Sequence, residues 1–273
     1  MVVRLKGMND IYRLPAKTIR FTRAEYLKSQ KTLSLQVAKQ AKAKVLDIAA
    51  MRQTINGMPS ENQFDWSDNR VATWSFDPMH SAQATWSYDA SNLYLCFRDI
   101  QDDTPMINHG KDVKTLFKTG DALEFEMRTS PDDNTSQVIP GDLRLLLSVF
   151  HEKPVAVLYR YKVPGTTQPL DFSSPVGTTH IDQVKVLEDA RILISRKENS
   201  YTVCASIPLS DLGFSPEAGK SYRGDFGVVY SDKTGTIDEL RMYWANPING
   251  MVNDLFSESQ IQPGNWGVFK VGR

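Results

Sequence analysis

Alternation constrains this chain more than any other feature. Across residues 93–98, Leu93, Leu95 and Phe97 fall on one side of an extended chain and Tyr94, Cys96 and Arg98 on the other. Successive side chains of a strand point to opposite faces, so this is a strand with one face in a core. Asp89-Ala90-Ser91-Asn92 just before it is turn chemistry, because Asp and Asn side chains bond nearby backbone and tolerate left-handed dihedrals. Residues 121–128 alternate again, with Ala122, Glu124 and Glu126 opposed to Leu123, Phe125 and Met127. Between the two strands lies a polar stretch, residues 99–119, and a connection of that length inside a compact domain is usually functional or disordered. We read it as the rim of a binding face.

The pattern recurs. Short alternating segments stand at 83–88, 143–150, 155–161, 185–186, 192–195, 201–207, 224–230, 240–244 and 267–271, separated by Pro, Gly, Asn and Asp. Many short strands without intervening helices imply an antiparallel sandwich or barrel. The beginning differs. Residues 1–22 hold two short β-like pieces that read as the last strands of something upstream. Residues 23–53 have no Pro and many Lys, Gln and Ala, and Leu33, Val37, Ala41, Val45 and Ile48 recur at helical spacing. The turn-rich 55–60 closes this part. The expected organisation is an N-terminal extension over residues 1–60, with strand remnants and an amphipathic helix, followed by a two-sheet antiparallel β-sandwich over residues 61–273.

Composition narrows the function. With 41% hydrophobic and 10% aromatic residues the chain can bury a sizeable core. Its 32 basic and 32 acidic residues cancel, which argues against nucleic acid as a partner, since such binders carry a basic excess or stripe. No apolar run is long enough to span a membrane, and the opening MVVRLKGMNDIYRLP lacks the apolar core of a signal peptide. Cys96 and Cys204 both fall in expected strands, and are expected to be buried free thiols rather than a disulfide.

Catalytic motifs are sparse. The four histidines stand in different segments without metal-ligand spacing. Gly224-Asp225-Phe226-Gly227 contains the Asp-Phe-Gly tripeptide of kinases, with nothing else of a kinase beside it. Glu124 and Glu126 lie on one strand face at a spacing that reaches the 5–9 Å separation a glycosidase needs, so a glycoside-cleaving enzyme is one alternative. Asp102 and Asp103 read as a solvated loop or as oxygen ligands for a structural calcium.

The succession YDASNLYLCFRDIQDD, LFKTGDALEFEM, YTVCASIPLSDLGF, YRGDFGVVYSD, LRMYWANP and NWGVFKV resembles a family-9 carbohydrate-binding module over about residues 65–273. In particular it resembles the sugar-binding-like variants found in large bacterial secreted proteins. The resemblance implies a non-catalytic β-sandwich that binds an oligo- or polysaccharide in a slot closed by aromatic rings, with no certain cofactor. It also suggests that this chain is a piece of a longer secreted protein with an upstream domain, which would place it outside the cytoplasm.

Carried over residue by residue, the resemblance puts Phe117 with Lys118 at the first aromatic clamp, one residue out of step. Glu124 matches the sugar-bonding carboxylate, Arg144 the arginine of the next strand, and Asn249 the asparagine after the Trp-x-x-Pro turn. The second clamp tryptophan falls near Val252, which cannot stack, so Phe256 or Trp266 would take its place. Rings cover the apolar face of a pyranose while Arg and Glu bond its hydroxyl rim. Each assignment has a plainer counterpart: Phe117 as core, Glu124 with Arg144 as a cross-strand ion pair, and Trp74, Trp86 and Trp244 as core. A haem-binding sandwich of related fold is a further alternative, with Met106 and His109 as axial ligands.

Overall fold

A computed structural model describes residues 43–247 and 256–272, apart from Arg52, Pro105 and Val176. Two sheets pack face to face. The larger has eight strands in the order β1 (Val45–Ile48), β15 (Gly267–Val271), β13 (Ser221–Ser231), β5 (Ala122–Arg128), β6 (Asp142–Phe150), β7 (Lys153–Arg160) and β10 (Gln183–Val186). Its eighth strand, β14 (Asp238–Tyr243), lies on the second half of β13, whose first half pairs with β15. The smaller sheet runs β11 (Arg191–Arg196), β12 (Ser200–Pro208), β4 (Asn92–Gln101), β3 (His80–Tyr88) and β2 (Ala72–Asp77). A separate hairpin, β8 (Leu170–Ser174) with β9 (Gly177–Ile181), completes the set. Every alternating segment expected from the sequence falls on one of these strands.

The alternation sets the layers. Leu93, Leu95 and Phe97 from β4 meet Leu123, Phe125 and Met127 from β5 in the core between the sheets. Trp86 sits at its centre, 1% exposed, with its ring edge-on to Phe125, Phe214 and Phe269. Burying each such side chain is worth about 1.5–3 kcal/mol, which is what clamps the sheets together. Trp74 and Trp244 are core as well. The outer face of the larger sheet carries a second cluster containing Leu116, Phe117, Tyr159, Tyr161, Phe172 and Trp266.

Two expectations are corrected. Val45 and Ile48 belong to a strand, not a helix, and β1 pairs in parallel with β15, Leu46 opposite Phe269 and Ile48 opposite Val271. Their spacing of three suits a helix face, but Leu46 and Ile48, two apart, are the residues that enter the core while Val45 stays exposed. The sandwich thus takes in residues upstream of 60, and Leu33, Val37 and Ala41 lie outside the described residues. The cysteines are joined. Cys96 and Cys204 are directly opposite on β4 and β12, Cα atoms 4.0 Å apart, and form a disulfide beneath Ile55 and Phe64. Both point to the outer face of the smaller sheet, and the register brings them together across 108 residues of chain.

Candidate functional site

The outer face of the larger sheet is built from cross-strand rows. The register of β13, β5, β6 and β7 aligns Asp225, Glu126, Arg144 and Tyr159 in one row. The neighbouring row runs Tyr243, Gly227, Glu124 and Leu146. Glu124 and Arg144 have no exposed surface. Arg144 Nη2 pairs with Glu124 Oε1, its Nη1 donates to the Glu258 carbonyl at 3.1 Å, and its Nε finds no partner.

A second arginine enters from β14. Arg241 Nη1 stands 3.5 Å from Glu124 Oε1, Nη2 donates to the Phe117 carbonyl, and Nε reaches Asp238 Oδ2 at 3.2 Å. The Tyr243 hydroxyl donates to Glu124 Oε2 at 3.0 Å. Gly227 makes that reach possible: a Cβ there would stand 2.7 Å from Tyr243 Cε1 and 3.3 Å from Glu124 Cβ. Neither Arg241, Tyr243 nor Gly227 was picked out from the sequence. Leu240-Arg241-Met242-Tyr243-Trp244 does alternate, and an arginine on the polar side of so apolar a strand was the available signal.

The two glutamates are driven apart electrostatically. Burial alone would raise Glu124, but Arg144 and Arg241 together hold it below the usual carboxylate range. Arg144 draws Glu126 down as well, but not enough to offset its surroundings. Burial, then the charge of Glu124, push it up to about 8, so it carries a proton at neutral pH. Trp266 Nε1 donates to Glu126 Oε2 at 2.6 Å. That places Trp266 on this face rather than in the core between the sheets.

Phe117 lies under Arg144, whose guanidinium carbon is 4.7 Å from the ring centroid. The ring is fully buried, packed against Tyr159 and Phe172 at 5.8 and 5.6 Å. It is seated by the 99–119 connection, which is anchored rather than loose: Ile107 N donates to Asp121 Oδ2 and Asn108 Nδ2 to the Leu116 carbonyl. Lys118 is half-buried at the end of the 3-10 turn Val113–Lys118. Asn249 and Val252 lie outside the described residues, as does the side chain of Phe256, which opens the turn Phe256–Ser259.

The remaining candidates separate. Met106 is buried in the core while His109 is exposed, its Nδ1 2.8 Å from the Thr234 carbonyl, so they form no axial pair for haem. Asp102 is buried and Asp103 exposed, the latter 3.3 Å from Lys233 Nζ. Among the described residues no three His, Cys, Asp or Glu side chains gather into a metal site. No described helix is long and apolar enough to cross a membrane.

No family model and no curated protein matches this sequence. Among solved structures, it is similar to a family-9 carbohydrate-binding module from Caldicellulosiruptor kristjanssonii in complex with glucose, at 15% identity over 84% of this chain and 97% of that one, with a TM-score of 0.48. A second structure of such a module from that organism, in complex with cellotriose, gives 15% identity, coverage of 84% and 95%, and a TM-score of 0.47. A protein from Bacteroides uniformis described as carbohydrate-binding gives 12% identity, 84% and 100%, and 0.49.

Proposed function

We propose that this chain is a non-catalytic saccharide-binding sandwich whose ligand is held at the outer face of the larger sheet by Arg144 and Glu124. The observation that carries the reading is the Arg144 side chain: wholly buried, fixed by Glu124 and the Glu258 carbonyl, and left with an Nε–H that has no partner. A buried donor without an acceptor costs about 1–3 kcal/mol, and a sugar hydroxyl would supply the acceptor. Arg241 and Glu124 add further donors and an acceptor around it. The turn Phe256–Ser259 contributes the Glu258 carbonyl over both guanidiniums, so ligand entry requires that turn to give way.

The same geometry favours binding over bond cleavage. A glycosidase needs two carboxyl groups on either side of a scissile bond. Glu124 is instead engaged by two guanidiniums and a tyrosine, and Glu126 by Trp266.

Arg144→Ala would be a poor test, because it leaves Glu124 charged and buried without its main partner, a loss of about 3–5 kcal/mol in stability. Arg144→Lys keeps the charge and removes the fork. In calorimetry against a panel of neutral oligosaccharides, the wild-type chain should bind at least one, and Arg144→Lys should bind it about 10–100-fold more weakly. No binding across the panel, or equal binding by the variant, overturns the assignment.

A further inference from the structure

A cavity of about 680 Å³ opens on the opposite side of the molecule, against the outer face of the smaller sheet. It is bounded by the chain that follows β1, by residues 63–70, and by β3. Its volume lies in the range of small-molecule sites, about 300–1,000 Å³. Its walls are tied to one another and to the sheet. Ser87 Oγ donates to the Ala49 carbonyl at 2.5 Å and Thr85 Oγ1 to the Arg70 carbonyl at 2.6 Å, while Met51 N donates to the Tyr88 carbonyl at 2.7 Å. Asn69 bonds Asp47 through both backbone and side chain. The space is therefore preformed, and a ligand would not have to order it.

Its lining defines a chemistry. Asp47, Asp65, Gln63 and Arg70 present polar groups, and Met51 and Phe64 present an apolar wall beside them. Asp65 and Arg70 are joined at 2.9 Å, a carboxylate and a guanidinium of the kinds that accept from and donate to hydroxyls. Among the described residues that line it, two carboxylates stand against one guanidinium, a balance that does not favour a phosphate or other anion. Acceptors of this kind suit a ligand rich in hydroxyl donors, with an apolar edge for Met51 and Phe64.

We infer that this cavity is a second saccharide site, taking a neutral sugar on the face opposite Glu124 and Arg144. It rests on the reading above only for the ligand class, since no residue is shared between the two sites.

The test is a calorimetric titration of the full chain with cellotriose, xylotriose and mannotriose, with glucose 6-phosphate as the anionic control. One of the neutral sugars should bind at two sites per chain. Arg144→Lys should remove one of them, and Arg70→Gln should weaken the other by roughly tenfold or more. The Asp65–Arg70 pair is partly exposed, at 55% and 36% of the side chains, so Arg70→Gln should leave the fold intact. Backbone amide shifts at Met51, Gln63 and Ser87 on adding the sugar to the wild-type chain give the same answer without a variant. Binding at only one site per chain that Arg144→Lys abolishes, silent amides at the cavity, or preferential binding of the phosphate overturns the inference. Loss of a site in Arg70→Gln with none lost in Arg144→Lys would keep the cavity and remove the Glu124 site.

Discussion

Arg144 stands directly across the sheet from Glu126, yet it forms its ion pair with Glu124, one row away on the same strand. Register alone would have coupled the directly opposed pair. The diagonal arises because Glu124 also gathers Arg241 and Tyr243, so its charge is the one the face can hold. Glu126 answers by keeping its proton, at a pKa of about 8.

That proton makes stability fall as pH rises. Burial first, together with neighbouring acid charges for Glu126, Asp121 and Asp238, lifts Glu126 to about 8 and Asp121, Asp225 and Asp238 to about 7. In the unfolded chain such carboxyls titrate at about 4. Between those values the native state holds protons that the unfolded state has released, so this contribution is complete below about pH 4 and lost through pH 7–8. Urea midpoints should decline from pH 5 to pH 8.5, and Glu126→Gln should flatten the upper part of that decline. A midpoint that rises across the window would contradict the protonated Glu126.

Gly227→Ala should damage the site from a residue that touches no ligand. Its Cβ would fall inside contact distance of the Tyr243 ring and push the hydroxyl away from Glu124. The expected cost in stability is about 1–3 kcal/mol from overpacking, with weaker saccharide binding. Tyr243→Phe keeps the ring and should lose about 1.5–3 kcal/mol, the worth of a hydrogen bond to a charged group. Calorimetry and denaturant melts of both variants make the comparison, and an unperturbed Gly227→Ala would show that the close approach is not rigid.

The cysteines should be silent to a thiol reagent in denatured, unreduced protein and yield two thiols after reduction. Replacing both by Ser should cost about 2–5 kcal/mol, because the bridge closes a loop of 108 residues. Two reactive thiols before reduction would mean that the bridge does not form.

Truncation tests the edge of the sandwich. Removing residues 1–60 deletes β1 and strips Leu46 and Ile48 from the core, leaving β15 with one unpaired side. That product should aggregate or melt far below the intact chain, whereas a cut at residue 42 removes no described strand. Equal melting of the two products by circular dichroism would show that β1 contributes little.

Most of the sandwich was legible because period two is local: Leu93, Leu95 and Phe97 declare their face whatever strand lies beside them. What sequence could not supply was pairing. Cys96 falls by alternation on the face opposite Leu93, Leu95 and Phe97, but only the adjacency of β4 and β12 makes Cys204 its partner. Arg241 and Tyr243 reach Glu124 because β14 lies on the second half of β13, a fact of topology with no local trace. Val45 and Ile48 misled because a four-residue strand is too short to distinguish period two from helical spacing. Glu124 and Arg144 were named in advance from resemblance, and the structure brings them into contact. Their complete burial could not be anticipated, since it depends on segments far along the chain that fold over them.

The bridge between β4 and β12 also bears on how the molecule would wear. Strands β5, β6 and β7, which carry Glu124, Arg144 and Tyr159, all lie on the stretch of chain between Cys96 and Cys204. That stretch is a covalently closed ring. A protease that cuts it once, for example in the exposed turn at residues 134–137, opens the ring without releasing a fragment. The nicked product would migrate as one species until a reductant separates it, and the strands that carry Glu124 and Arg144 would stay tethered to the rest of the sandwich.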